Sequence, residues 1–140
     1  MLVEIRHGWL LTVHGTKTPA AEDWQRYVAT LDQWRANPRG QLVYTLGGMP
    51  SSVQRSASID LGKQLVRERK ARGEPMPLTA VMTDSTAVRA LATLFNWFFD
   101  NSFQAFALTD WTGAFAHLKI EPDQQTALRT IVKGLASRVE

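Results

Sequence analysis

Leu78-Thr-Ala-Val-Met-Thr-Asp-Ser-Thr-Ala-Val-Arg-Ala-Leu-Ala-Thr-Leu-Phe-Asn-Trp-Phe-Phe99 is the stretch that decides the fold. Leu78–Met82 is a short apolar, β-prone run bounded by turn residues, which reads as a buried strand. From Ser85 to about Phe99 the apolar pattern is too long for a strand and reads as a helix. Thr83, Asp84 and Ser85 stand at the junction, and Arg89 follows one turn into the helix. A buried strand feeding a helix is the unit of an α/β sheet. It also sets a polar corner in the most apolar part of the chain.

The same unit recurs on either side. Gln41–Leu46 reads as a strand closed by Gly47-Gly48 and Pro50, and Ser51 to about Arg72 as a helix. Val53, Ala57, Leu61 and Leu65 form the inner side of that helix, and Arg55, Lys63, Arg67, Lys70 and Arg72 a basic outer side. Gly73, Pro75 and Pro77 then break the chain. Near the N-terminus, Leu2–Arg6 and Trp9–His14 are β-prone runs joined by His7-Gly8, a pair that suits a two-residue hairpin turn. His14 is expected as a turn residue at the end of its strand. Pro19, Glu22 and Asp23 suit a helix start, and Trp24, Tyr27, Val28, Leu31 and Trp34 make its apolar stripe before Asn37-Pro38-Arg39-Gly40. Beyond Phe99, Phe103–Leu108 reads as a strand and Asp110–Leu118 as a short helix with Trp111, Phe115 and Leu118 inward. Pro122 opens a last helix striped by Leu128, Ile131, Val132, Leu135 and Val139.

The order is β-β-α-β-α-β-α-β-α with an additional C-terminal helix. Such alternation implies right-handed crossovers and a largely parallel sheet, mixed because of the opening hairpin. At 140 residues one domain is expected, with its core in residues 1–118 and the extra helix in 121–139. A hydrophobic content of 44% and a charged content of 21% are ordinary globular values and give no indication of disorder. Cysteine is absent, which removes disulfides and thiolate metal sites, and His7, His14 and His117 are scattered. The N-terminus is too short and too charged for a signal peptide, and no apolar run is long enough to cross a membrane, so a cytoplasmic address is expected. A net charge of +3 without a reader motif gives no indication of nucleic acid. Glu68 and Glu74 interrupt the basic helix side, which reads as a solvated surface.

With these elements in place the chain resembles the SpoIIAA-like proteins, whose fold is shared by STAS and CRAL-TRIO (Sec14-like) domains. The element order matches from Leu2 to Leu118. Local matches lie at Trp24 and Tyr27, at Pro50 to Gln54-Arg55, at Thr83-Asp84-Ser85 with Val88-Arg89, and at Phe106 through Asp110. The resemblance implies the single-domain SpoIIAA/STAS-like mixed sheet. It also implies a regulatory, lipid-binding or partner-switching role rather than catalysis. In the antagonists of that family the phosphorylated residue lies in Asp-Ser-Ser-Gly after the third strand. The corresponding place here reads Gly48-Met49-Pro50-Ser51-Ser52, without the Asp and the following Gly.

Candidate site residues follow from where ligands bind on α/β sheets, in the crevice beyond the carboxyl ends of parallel strands. Gly47–Ser52, Thr83–Ser85 and Thr109–Trp111 are expected there. Ser51, Ser52, Arg55, Thr83, Asp84, Ser85, Arg89 and Asp110 are then the candidate ligand or partner surface, suited to a phosphate or carboxylate at the helix starts. Asp84 or Ser85 also suits a plain helix N-cap, with Arg89 then paired to Asp84 or Asp110. The third helix is apolar nearly all round, and Phe95, Trp97, Phe98 and Phe99 exceed the stripe a sheet-packed helix needs. Three covers are open for that excess: the C-terminal helix, a second copy of the chain, or a lipid in a cavity of about 300 Å³ beside Phe95, Phe98 and Phe99.

No nucleophile elbow, phosphate loop or paired metal-ligand spacing occurs, so no catalytic residue, metal or cofactor is assigned. The reading is a non-enzymatic regulatory or protein-interaction module of bacterial signalling. A protein partner, and with it a homodimer, is expected, without nucleic acid. The alternatives are a Sec14-like lipid or hydrophobic-ligand binder, with peripheral lipid contact, and a structural homodimer.

Overall fold

β1 (Leu2–Arg6) and β2 (Trp9–His14) form an antiparallel hairpin, Arg6 opposite Trp9. His7 and Gly8 between them both have positive φ, 50° and 84°, the backbone that a two-residue hairpin turn demands. From β2 the chain runs through α1 (Ala21–Trp34), β3 (Gly40–Thr45), α2 (Ser52–Ala71), β4 (Leu78–Met82), α3 (Thr86–Phe98) and β5 (Phe103–Phe106). It ends with α4 (Trp111–Leu118) and α5 (Pro122–Ala136). The computed structural model describes residues 1–139.

The strands lie side by side in chain order, β1-β2-β3-β4-β5, with β2 to β5 parallel. Each parallel step moves one strand further in the same direction. Crossovers of one hand then put every crossover helix on the same face. Accordingly α1, α2 and α3 all lie on one side, and α4 and α5, which follow the last strand, cover the other. The alternation of β-strand side chains divides the residues cleanly between the two. Trp9, Leu11, Val13, Leu42, Ala80, Met82 and Phe106 pack against Trp111, Phe115, Leu118, Leu128, Val132 and Leu135 in a solid apolar core. Leu10, Val43, Val81 and Phe103 face the other way, toward Leu31, Trp34, Leu65, Val88 and Ala92.

The element order expected from sequence is the observed one, with ends shifted by a few residues. Two expectations about packing need correction. The C-terminal helix does not cover α3, because the crossovers place α3 and α5 on opposite faces. The outer side of α3 instead turns Leu94 and Trp97 to solvent, Trp97 at 80% exposure. Val53 is not on the inner side of α2 either; it is 78% exposed in the first turn, where Gln54 is the buried neighbour.

α2 comes closest to α3 rather than to a strand. Gly62 makes that approach workable, since a Cβ there would run into the Phe99 ring. Phe99 in turn rests on Phe103 at 4.8 Å between ring centres. Gly62→Ala is therefore expected to cost about 1–3 kcal/mol by overpacking. A drop in the urea midpoint at unchanged slope checks this, and an unchanged midpoint would show that Phe99 gives way freely.

Candidate functional site

The corners expected to hold a ligand have their polar groups engaged within the chain. Ser51 caps α2, its Oγ accepting from the Gln54 amide at 3.1 Å while Gln54 Oε1 accepts from the Ser51 amide at 2.9 Å. This reciprocal box satisfies two helix-start donors at once. Arg55 donates to the Pro50 carbonyl at 2.8 Å, and Ser52 is an exposed first-turn residue. Thr83 is buried and its Oγ1 accepts from the Ser85 amide at 3.0 Å, while Ser85 caps α3 through the Val88 amide at 3.3 Å. Asp84 accepts from the Leu108 amide at 3.1 Å, tying the β4 corner to the chain beyond β5. Arg89 donates to the Thr83 carbonyl at 3.2 Å and, among the described residues, forms no ion pair with Asp84 or Asp110. Asp110 caps α4 through the Gly113 amide at 2.9 Å. The three corners share one edge of the sheet because β3, β4 and β5 are parallel. They do not share one layer, since α2 and α3 start on one face and α4 on the other. Ser51, Ser85 and Asp110 are helix caps, while Arg55, Asp84 and Arg89 bond backbone groups.

The apolar end of α3 divides into three environments. Phe95 and Phe99 turn inward and line a cavity, Phe98 lies half-buried under the Lys63 ammonium at 5.4 Å, and Trp97 is in solvent. The cavity, of about 110 Å³, lies between the sheet and the α1–α3 layer. Its walls are Trp24, Tyr27 and Leu31 of α1, Leu61 and Leu65 of α2, and Leu91 and Phe95 of α3. α2 offers Ser58 and Gly62 to this space, with the Phe99 ring packed against the glycine.

Its floor is polar, which no corner of the sequence announced. Thr12 and His14 of β2, Gln41 and Thr45 of β3 and Thr79 of β4 all point to the α1–α3 side and all are buried. Gln41 Nε2 donates to Thr79 Oγ1 at 2.9 Å across the β3–β4 pair, and Thr45 Oγ1 takes up the Gly47 amide at 3.2 Å. Among the described residues, three buried side-chain atoms have no partner within the chain: Thr12 Oγ1, His14 Nδ1 and Gln41 Oε1. Their residues are only 1%, 8% and 7% exposed. Thr12 is central in this row. His14 is two residues along the same strand, roughly 7 Å away, and Gln41 on β3 is the diagonal neighbour of Thr12, two residues from Val43, which lies opposite Thr12. A buried polar atom without a partner costs about 1–3 kcal/mol.

His14 is thus a strand residue on the cavity floor and not a turn residue. Burial, and secondarily the positive Met1 amino group, lower its pKa from 6.5 to about 4, so it is neutral at pH 7. Burial likewise raises the Tyr27 hydroxyl to about 12. The polar floor was visible in principle. Positions 12 and 14, 41 and 45, and 79 carry polar residues on one face of three successive strands whose other face is almost wholly apolar. Threonine's high β-propensity disguised the pattern as ordinary strand composition.

Among the described residues no three His, Cys, Asp or Glu side chains cluster as a metal-ligand set, and no helix is long and apolar enough to cross a membrane. No family model, curated protein or solved structure matches the chain.

Two outcomes follow from the floor. Because the unfolded chain takes up a proton on His14 near pH 6.5 and the folded one only near 4, stability is complete above pH 6.5 and falls as pH drops toward 4. The loss reaches about 3 kcal/mol. Urea midpoints measured across that range are expected to fall in the natural protein, and the His14→Leu variant to lack this share of the fall. Thr12→Val, which replaces an unpartnered hydroxyl by a methyl of the same shape, is expected to raise stability by about 1 kcal/mol. Thermal unfolding of the two proteins at pH 7 checks it.

Proposed function

We propose that the protein is a non-enzymatic binding protein that holds a small, mostly apolar molecule between its sheet and the α1–α3 layer. The observation that carries this reading is the combination of an aromatic and aliphatic wall with a floor that includes the polar strand residues Thr12, His14, Gln41, Thr45 and Thr79. Ligand sites in proteins have this composition, with many apolar contacts and a few convergent polar groups that orient the guest. Size limits the guest. The cavity of about 110 Å³ is smaller than the apolar cavity of about 150 Å³ that binds benzene and well short of the roughly 300 Å³ expected for a lipid, so one ring is the upper limit for a guest and a whole lipid does not fit. The resemblance to the Sec14-like branch of SpoIIAA/STAS-like folds points the same way, toward a hydrophobic ligand enclosed beside the sheet.

The reading of a phosphate-sensitive signalling module has less support, since Ser51, Ser85 and Asp110 are committed as caps and Arg55 and Arg89 donate to backbone carbonyls. A protein-partner surface is favoured only by the exposed Leu94 and Trp97 on α3.

Ligand-observed NMR with benzene, toluene and indole at pH 7 tests the binding reading. At least one probe is expected to bind with a dissociation constant of about 1 mM or tighter. Val43→Phe, which fills the cavity from its floor, is expected to abolish that binding while thermal unfolding still shows a cooperative fold. Failure of every probe, with xenon also failing to perturb the resonances of Val43 and Val81, would remove the reading.

A further inference from the structure

We infer that the outer face of α2 and α3 docks the protein on an anionic phospholipid surface, with Leu94 and Trp97 entering the interfacial region and Lys63, Arg67 and Lys70 meeting the headgroups. Spacing groups the apolar members. Leu94, Trp97 and Phe98 stand at i, i+3 and i+4, so they share one side of α3. That side points away from the sheet, because Val88 and Ala92 are the residues the helix buries. Trp97 is 80% exposed and Leu94 47%, whereas Trp9, Trp34 and Trp111 are all buried. The boundary between headgroups and acyl chains suits an exposed tryptophan, since it takes the apolar ring and the indole N–H together.

The basic members belong to the same face. Lys63 Nζ lies 5.4 Å from the centre of the Phe98 ring, which sets the row on α2 beside the patch on α3. Arg67 and Lys70 follow Lys63 at i+4 and i+7, on one stripe, and all three are exposed. The carboxylates that break the positive run in the sequence are engaged elsewhere. Glu68 pairs with Arg35 of α1, and Glu74 with Arg69 at 2.7 Å. Among the described residues Lys63, Arg67 and Lys70 form no ion pair. Asp60, one turn before Lys63, and Asp100, just past α3, border the face and leave it net positive.

Charge and area select the occupant. A second copy docking through the same face would set one cationic row against another. A stable protein interface takes about 800 Å² from each partner, and two exposed apolar side chains are a small core for one. A bilayer demands neither shape nor area, since a few cations at an anionic leaflet and one or two interfacial side chains give reversible binding. A bilayer docked there lies over the helices that roof the cavity, which Leu61, Leu65 and Phe95 line from beneath.

Cosedimentation with vesicles gives the test, using phosphatidylcholine alone and phosphatidylcholine with about one-third phosphatidylserine. The natural protein is expected to bind the anionic vesicles at least about tenfold more strongly, and to be released in about 1 M salt. Each cation at such a surface strengthens binding about fivefold, so Lys63→Gln combined with Arg67→Gln is expected to weaken it about 20-fold. Trp97→Ser is expected to weaken it severalfold and to remove the blue shift of tryptophan emission that accompanies binding. Lys119→Gln combined with Lys133→Gln removes the same charge from the α4–α5 side and is expected to change binding less than about twofold. All five side chains are exposed, and thermal unfolding checks that each variant folds. No preference for the anionic vesicles, an equal loss in the Lys119 and Lys133 variant, or unchanged binding by Trp97→Ser overturns the assignment. Light scattering that shows a dimer dissociated by Trp97→Ser also overturns it and gives the face to a second copy. The cavity is probed by soluble guests without vesicles, so either reading can fail alone.

Discussion

A single hand of crossover, repeated three times across strands laid down in chain order, governs how this molecule is built. Because β2, β3, β4 and β5 follow one another in the sheet, each connecting helix must land on the same face. Three helices therefore share one side of a five-stranded sheet. The chain has to supply separate cover for the other side, and α4 and α5 provide it. Had one strand been inserted out of order, a crossover would have reversed direction and the helices would have been divided between the faces.

The two faces consequently meet different chemistry, although the same strands build both. On one, Leu11, Val13, Leu42, Ala80 and Met82 meet α4 and α5 in close apolar packing. On the other, Thr12, His14, Gln41 and Thr79 alternate with Leu10, Val43 and Val81 beneath a helix, α2, whose inward residues include Ser58 and Gly62. Apolar burial at roughly 25 cal/mol per Å² makes the first face the main source of stability. The second carries unpartnered polar atoms that lower stability, a cost the packed face can sustain. A division of labour of this kind is common where a protein must be both stable and able to receive a guest, since sites depart locally from the rules that stabilise the rest.

The fold was legible because its signals are local. Gly and Pro at positions 38, 47, 48, 50, 73, 75 and 77 punctuate the chain between strands and helices. The stripes of α1, α4 and α5 were also read correctly, since Leu31, Trp34, Trp111, Phe115, Leu118, Leu128, Val132 and Leu135 are all buried. The face occupied by α5 was not legible, because helix periodicity says that a side is buried and not against what. Val53 shows the same limit at smaller scale: it falls on the inner stripe of α2 by spacing, yet lies in a first turn that projects past the sheet.

The polar floor of the cavity was not legible for a related reason. Polar residues at helix starts such as Ser51, Ser85 and Asp110 stand out in a sequence, but standing out is what caps do. The residues that remain chemically unsatisfied, Thr12, His14 and Gln41, are ordinary members of strands until register aligns them. By itself the sequence determined which segments become strands and helices, their order, and the absence of cysteine chemistry, because these rest on local propensity, periodicity and composition. Only the tertiary structure decided which face each helix covers, which polar groups find partners and where a cavity is left. Those depend on side chains far apart in the chain being brought to one face, a relation that no local pattern contains.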